Sequence, residues 1–177
     1  DYFFIIDEIN RGNLSKIFGE LFMLIEMDKR EKVKLQLLYS DEKFSVPNNI
    51  YIIGMMNTAD RSLAMLDYAL RRRFAFYEMK PGFESEKFIE YRMNLNNPKF
   101  DRLINTVESL NTAIASDDAL GDGFKIGHSY FCNIKEITDA RLSNIVEYEL
   151  IPTLKEYWFD EPAKVKDWSN LLRSAIK

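Results

Sequence analysis

The chain has 177 residues, of which 46% are hydrophobic and 29% charged, with a formal net charge of -4. That balance fits a globular protein with apolar mass for one good core or two small ones, and it argues against a generally basic nucleic-acid-binding module. A single cysteine, Cys132, excludes an internal disulfide and fits a reducing compartment. No apolar run approaches the ~20 residues needed to span a bilayer and no secretory segment opens the chain, so no membrane association is expected and cytoplasm is the default.

Tyr2-Phe3-Phe4-Ile5-Ile6 is an uninterrupted apolar run that predicts a strand buried on both faces of a parallel sheet. Such a strand needs neighbours, so the chain reads as a fragment that starts inside a domain. Asn13 is placed to cap a helix through Leu14, Ile17, Phe18, Leu21, Phe22 and Ile25, whose spacing is close to 3.6. Residues 33–38 and 43–46 predict a surface hairpin around Tyr39-Ser40-Asp41-Glu42, and Pro47-Asn48-Asn49 breaks the chain before a second buried strand, Ile50 to Met55. A short helix over about 62–71 and a last strand over 74–79 complete an α/β half that Pro81-Gly82 closes.

The second half is helical. Helices are predicted over 85–95 and 100–115, the latter with Phe100, Leu103, Ile104, Val107, Leu110 and Ile114 on one face. Gly121-Asp122-Gly123 marks a turn before a loop or short strand through Phe131. A further helix from Asp139 carries Leu142, Ile145, Val146 and Leu150. Pro152 kinks or restarts it, and a last helix fills about 162–176. The expected architecture is an α/β sheet domain over 1–82 and a small helical domain over 83–177.

Asp7-Glu8 ends the first strand at its carboxyl edge, where open α/β sheets bind ligands. In P-loop hydrolases an Asp there holds Mg²⁺, often through water, and an adjacent Glu can polarise the attacking water as general base. Asp7 is thus the candidate metal residue and Glu8 the candidate base; the bland alternative is a pair of acids that ends a strand and caps the next helix. Asn57-Thr58-Ala59-Asp60 follows the next buried strand. There Asn57 can hold water or a γ-phosphate by hydrogen bond, or form an Asx turn, while Asp60 caps the following helix. Arg71-Arg72-Arg73 ends that helix, and the helix end cannot serve three consecutive arginines. Arg71 or Arg72 is expected to reach a polyanion, either a neighbouring subunit's phosphate or nucleic acid, and Arg73 to be structural. Arg11 and Arg61 each follow an acidic motif and either brace it by a salt bridge or cross a subunit interface.

Phe4-Ile5-Ile6-Asp7-Glu8-Ile9-Asn10-Arg11 resembles the Walker B segment of AAA+ proteins of the MoxR and dynein-related branch. Met56 to Ser62 with Leu66 to Phe74, the lid-like Ile126-Gly127-His128-Ser129-Tyr130-Phe131 and Glu156 to Asp160 narrow the resemblance to the McrB family. The resemblance covers nearly the whole chain and implies a partial P-loop NTPase (AAA+) sheet domain followed by a helical lid. It implies Asp7 and Glu8 as magnesium and catalytic residues, Asn57 at the sensor-1 position, Asp60 and Arg61 in a polar network beside it, and Arg71 or Arg72 acting in trans. It further implies Mg²⁺ as cofactor, GTP (or ATP) as substrate, a homo-oligomeric ring, most simply a hexamer, a nuclease subunit of McrC type, and DNA recognised by a domain outside this chain. Two departures stand out. The Gly-rich phosphate loop with its Lys-Ser/Thr is absent from the chain, so the chain alone is expected to be inactive. Gly127-His128-Ser129 also stands where a sensor-2 arginine is usual, so His128 either faces the nucleotide or is a loop histidine satisfied by its neighbours.

Three readings compete: a GTP-hydrolysing motor of a methyl-specific restriction complex, a MoxR-like ATPase that remodels protein partners, and a non-enzymatic interaction domain. The basic hairpin segment with Lys29, Arg30, Lys32, Lys34 and Lys43 is expected to be exposed, as a solvated surface or as a wall of a ring's central pore. Cys132 is expected to be a buried small hydrophobe.

Overall fold

The computed structural model describes residues 1–57, 59, 71–134 and 136–177, except for the side chains of residues 14 and 15. It separates into two compact units, Asp1–Glu78 and Met79–Lys177.

The first unit is built on two parallel strands, β1 (Tyr2–Ile6) and, later in the chain, Ile50–Gly54, registered from Tyr2↔Ile50 to Ile6↔Gly54. After β1 the chain turns into α1 (Leu14–Phe18), which continues as a 3₁₀ segment over Gly19–Ile25. Asn13 begins α1 as expected, its Oδ1 accepting from the Lys16 N–H at 3.0 Å. The single amphipathic helix expected here is interrupted at Gly19, which sits at φ +50°, outside the right-handed helical basin. Phe22 nevertheless reaches a small core with Ile9, flanked by Ile6, Phe18, Ile25 and Phe74. The hairpin is present but short. β2 (Leu35–Gln36) pairs antiparallel with β3 (Lys43–Phe44), and its tip exposes Leu38 and Tyr39 fully. β4 is the Ile50–Gly54 strand.

Four expectations in this unit fail, the first being the burial of β4, whose Tyr51 and Ile53 are exposed. Tyr2, Phe3, Phe4 and Ile5 are each more than half exposed, because within the described residues the two-stranded pair has nothing packed over these side chains. Residues 74–79, expected as the last strand, form none. A strand is held by a ladder of hydrogen bonds to a neighbour, and β1 and β4 pair only with each other among the described residues. Arg30, expected at the surface with its basic neighbours, is buried. Its Nε donates to the Ile25 carbonyl at 3.0 Å and its Nη1 to the Ile50 carbonyl, tying the 3₁₀ segment to the start of β4. The helix expected over 62–71 lies outside the described residues except at its last position.

The second unit contains α2 (Glu86–Leu95), α3 (Pro98–Ala115), α4 (Asp139–Asn144), α5 (Ile151–Tyr157) and α6 (Pro162–Ala175). Their starts follow from local chemistry. Ser85, Asn97 and Thr138 each accept a hydrogen bond from a first-turn N–H, and Pro98 takes the N1 position, where no donor is needed. The expected face of α3 is the centre of the core: Phe100, Leu103, Ile104, Val107, Leu110 and Ile114 are all fully buried. Burying each such side chain stabilises by ~1.5–3 kcal/mol.

Between α4 and α5 the helix widens into a π turn over Ile145–Leu150. Pro152 explains it: proline has no N–H for the Tyr148 carbonyl one turn back, and a wider turn accommodates the missing bond and the ring. The segment expected as loop or short strand forms two 3₁₀ turns, Asp122–Phe124 and His128–Phe131. Asn111, buried on α3, fixes the chain between them. Its Nδ2 donates to the Ile126 carbonyl at 2.9 Å, and its Oδ1 accepts from the Ile126 N–H at 2.6 Å.

Candidate active site

The carboxyl ends of β1 and β4 continue to pair beyond the strands. The Met55 N–H donates to the Ile6 carbonyl at 2.8 Å, and the Ile9 N–H donates to the Met55 carbonyl at 2.9 Å. The chain from Asp7 to Ile9 therefore loops around Met55, which places the acidic pair beside the segment that leads to Asn57. Gly54 makes this possible. A Cβ there would lie 2.6 Å from Ile9 Cδ1, so a larger residue would force the Ile9 side chain to shift from its place over the end of β4. With Ile9 buried in that position, Asp7 and Glu8 stay at the open edge.

Asp7 Oδ1 accepts from the Glu8 N–H at 2.9 Å, which orients the carboxylate. Glu8 sits at φ +50°, a backbone region rarely used by residues with a side chain and one that often marks functional turns. Its carboxylate meets Arg11 Nε at 2.7 Å, with both side chains about half exposed. Arg11 thus braces the acidic motif. Asn57 Oδ1 accepts from the Ala59 N–H at 3.0 Å, the Asx turn foreseen as its alternative role, and its amide NH₂ remains as a donor. Asn10 Nδ2 lies 3.5 Å from the Asn57 carbonyl, at the limit of a hydrogen bond, and joins the two loops. Asn10 was not singled out from the sequence; its place directly behind the acidic pair was the available signal.

The three arginines differ in their surroundings. Arg73 turns inward, with its Nη2 2.7 Å from Glu26 and its guanidinium 4.9 Å from the Phe22 ring centroid. Lys29 and Arg73 hold the Glu26 carboxyl below its ordinary value. Arg71 and Arg72 are exposed. Asp60 and Arg61 lie outside the described residues. His128 belongs to the second unit, where its Nδ1 accepts from the Gly82 N–H at 3.0 Å, so that nitrogen is occupied within the protein. Cys132 is half-buried rather than buried, and its Sγ donates to the His128 carbonyl at 3.3 Å.

A magnesium ion fits this donor set. Mg²⁺ keeps most of its water and takes only one or two protein carboxylates beside substrate phosphates. Asp7 can provide one with Oδ2 while Oδ1 stays hydrogen-bonded. A closed all-protein site does not fit: among the described residues no group of three or more His, Cys, Asp or Glu side chains could hold a metal.

Residues 2–74 match the family model of the AAA domain (dynein-related subfamily). The strand-end acidic pair beside Asn57 therefore stands in part of an AAA domain. Residues 102–166 match the α-helical lid domain of McrB, and the chain is accordingly an McrB-like AAA+ chain. It is 50% identical, over a 182-residue alignment covering 97% of it, to the type IV methyl-directed restriction enzyme EcoKMcrB subunit of Escherichia coli (strain K12). It is 30% identical over 89 residues to the type II restriction enzyme BsuMI component YdiS of Bacillus subtilis (strain 168), covering 43% of the chain and 26% of that protein. The chain spans 40% of the length of the E. coli relative. Among the described residues no helix is long and apolar enough to cross a membrane.

Proposed function

We propose that the chain supplies the Walker B, sensor-1 and arginine-finger parts of an Mg-dependent nucleoside triphosphatase motor, GTP-hydrolysing and acting in a methyl-specific restriction complex. The observation that supports this reading is the joining of the Asp7–Ile9 turn to Met55 by backbone hydrogen bonds, with Asn57 two residues further along the chain. Asp7 would hold Mg²⁺, which when bound neutralises charge on the phosphates. Glu8 accepts a proton from the attacking water, for which its carboxylate must leave Arg11. Asn57 orients that water or the γ-phosphate through its NH₂.

Asp60 and Arg61 are proposed to extend the polar network. Arg71 or Arg72, both exposed at the helix end, would act on the nucleotide of the next subunit in a homo-oligomeric ring, most simply a hexamer. The phosphate loop would come from outside these residues, so the isolated chain is proposed to be inactive. A nuclease subunit of McrC type and DNA recognised by another domain complete the proposed assembly. Similarity to a methyl-directed restriction subunit over 97% of the chain favours this over a MoxR-like ATPase that remodels proteins.

The test is turnover of GTP against ATP by the intact motor. A clear preference for GTP is expected, and equal or faster ATP turnover would contradict the GTPase reading.

A further inference from the structure

His128 lies outside the cleft residues just described, yet it is held more tightly than a surface loop requires. Its Nδ1 accepts from the Gly82 N–H at 3.0 Å, across 46 residues of sequence. In accepting this bond Nδ1 acts through its lone pair, which leaves Nε2 as the ring's donor nitrogen. Phe88 and Phe83 stand edge-on to it, with centroids 5.8 and 6.2 Å away. A Cβ on Gly82 would lie 3.1 Å from the ring's Cε1 and 3.2 Å from Nε2. Glycine at 82 is what allows this approach, because a ring walled by two phenylalanines has little room to retreat. Two residues before His128, Ile126 is pinned to α3 through both of its backbone groups by Asn111. The imidazole is therefore presented from a fixed loop. What it grips is the first turn of the helical unit, directly after the residues that connect it to the sheet unit.

We infer that His128 is a positioning residue, a clasp that fixes the backbone at the entry to the lid so that lid and hydrolysis cleft work together, and that its Nδ1 serves this clasp rather than the nucleotide. The coupling to hydrolysis rests on the reading proposed above; the clasp itself does not.

Asparagine places its Oδ1 near the position of Nδ1 and glutamine its Oε1 near that of Nε2, so the two replacements separate the roles of the two nitrogens. Stability is read on the full chain by urea unfolding. Its two tryptophans, Trp158 and Trp168, both lie in the lid and report on it by fluorescence. His128→Asn should keep the parent midpoint, whereas His128→Gln and Gly82→Ala should each lower it by roughly 0.5 M. In the intact motor, His128→Asn should turn over nucleotide within about twofold of the parent. His128→Gln and Gly82→Ala should each lower kcat by roughly tenfold, and the double variant should be no worse than either alone, because both break one contact.

The opposite order, with His128→Gln active and His128→Asn raising KM, would make Nε2 a nucleotide contact and overturn the inference. Parent-like turnover in His128→Gln and Gly82→Ala despite their lowered midpoints would remove the clasp from hydrolysis. If the parent motor shows no turnover, the function proposed above fails, and the urea series alone then decides whether the clasp exists: equal midpoints for His128→Asn and His128→Gln would sink it.

Discussion

Asp117→Asn tests how the lid is held together. The Asp117 side chain is almost completely buried, and Oδ2 accepts from Trp158 Nε1 at 2.9 Å and from Lys164 Nζ. Oδ1 accepts from the Ala119 N–H at 2.9 Å. Lys164 also lies 4.6 Å from the Trp158 ring centroid, so one carboxylate joins the turn after α3, the end of α5 and the first turn of α6. Asparagine has one oxygen for these donors, and either orientation turns its NH₂ toward another N–H. A hydrogen bond to a buried charged group is worth ~1.5–3 kcal/mol, and the Lys164 share is discounted because that side chain is about one-third exposed. A loss of ~2–3 kcal/mol is expected near neutral pH, or roughly 1 M in urea midpoint by lid tryptophan fluorescence.

The same carboxylate sets a pH dependence. Lys164 first, and then the Trp158 indole, hold its pKa at about 2 against an ordinary 3.8. Because the folded value is depressed, its contribution is complete above the unfolded value and is lost as pH falls through the folded one. The gap between parent and Asp117→Asn should therefore narrow from pH 3.8 down toward about 2. A gap of unchanged size across that range, or a variant as stable as the parent at neutral pH, would refute the reasoning.

Further variants probe the sheet unit. Gly54→Ala brings a methyl to 2.6 Å from Ile9 Cδ1 and should cost ~1–3 kcal/mol while displacing the Asp7-Glu8 turn, measured as a lower melting midpoint and reduced turnover. Adding Ile9→Val removes the offending carbon and should recover part of both. Arg73→Ala should destabilise the sheet unit by ~1–2 kcal/mol, since it breaks the Glu26 ion pair and the Phe22 contact. Arg71→Ala and Arg72→Ala should leave the melting midpoint alone. One of them should abolish turnover in the assembled motor and be rescued by mixing with subunits that are inactive for a different reason.

Much of this was legible in the sequence where a local rule applies. The apolar run into Asp7-Glu8 gave the strand and the carboxylates at its end, the 3.6-residue spacing gave the core face of α3, and Arg73 was separable from Arg71 and Arg72 because a helix end serves few cations. What escaped depends on contacts between distant segments. Arg30 reads as one more cation in a basic stretch, and only the carbonyls of Ile25 and Ile50 make it a buried tie. The apolar spacing of 74–79 suits a strand, but pairing decides strands and no ladder is available to it among the described residues. The lid's turns are shaped by side chains bonded to remote backbone: Asn111 to Ile126, His128 to Gly82, and Tyr91 to Ile134. Periodicity carries no trace of such bonds. The break at Gly19 was nearer to hand, since a glycine inside a helical pattern is a known weak point.

The central claim is that the pair after β1 is a metal-side carboxylate followed by a general base. Its most direct measurement is the Glu8→Gln variant of the intact motor, with nucleotide binding and hydrolysis read separately. Glutamine keeps the shape but cannot take a proton, so binding should stay within a few-fold of the parent while hydrolysis falls by roughly 10²–10⁴. Hydrolysis at the parent rate would remove Glu8 from the base role and contradict the account.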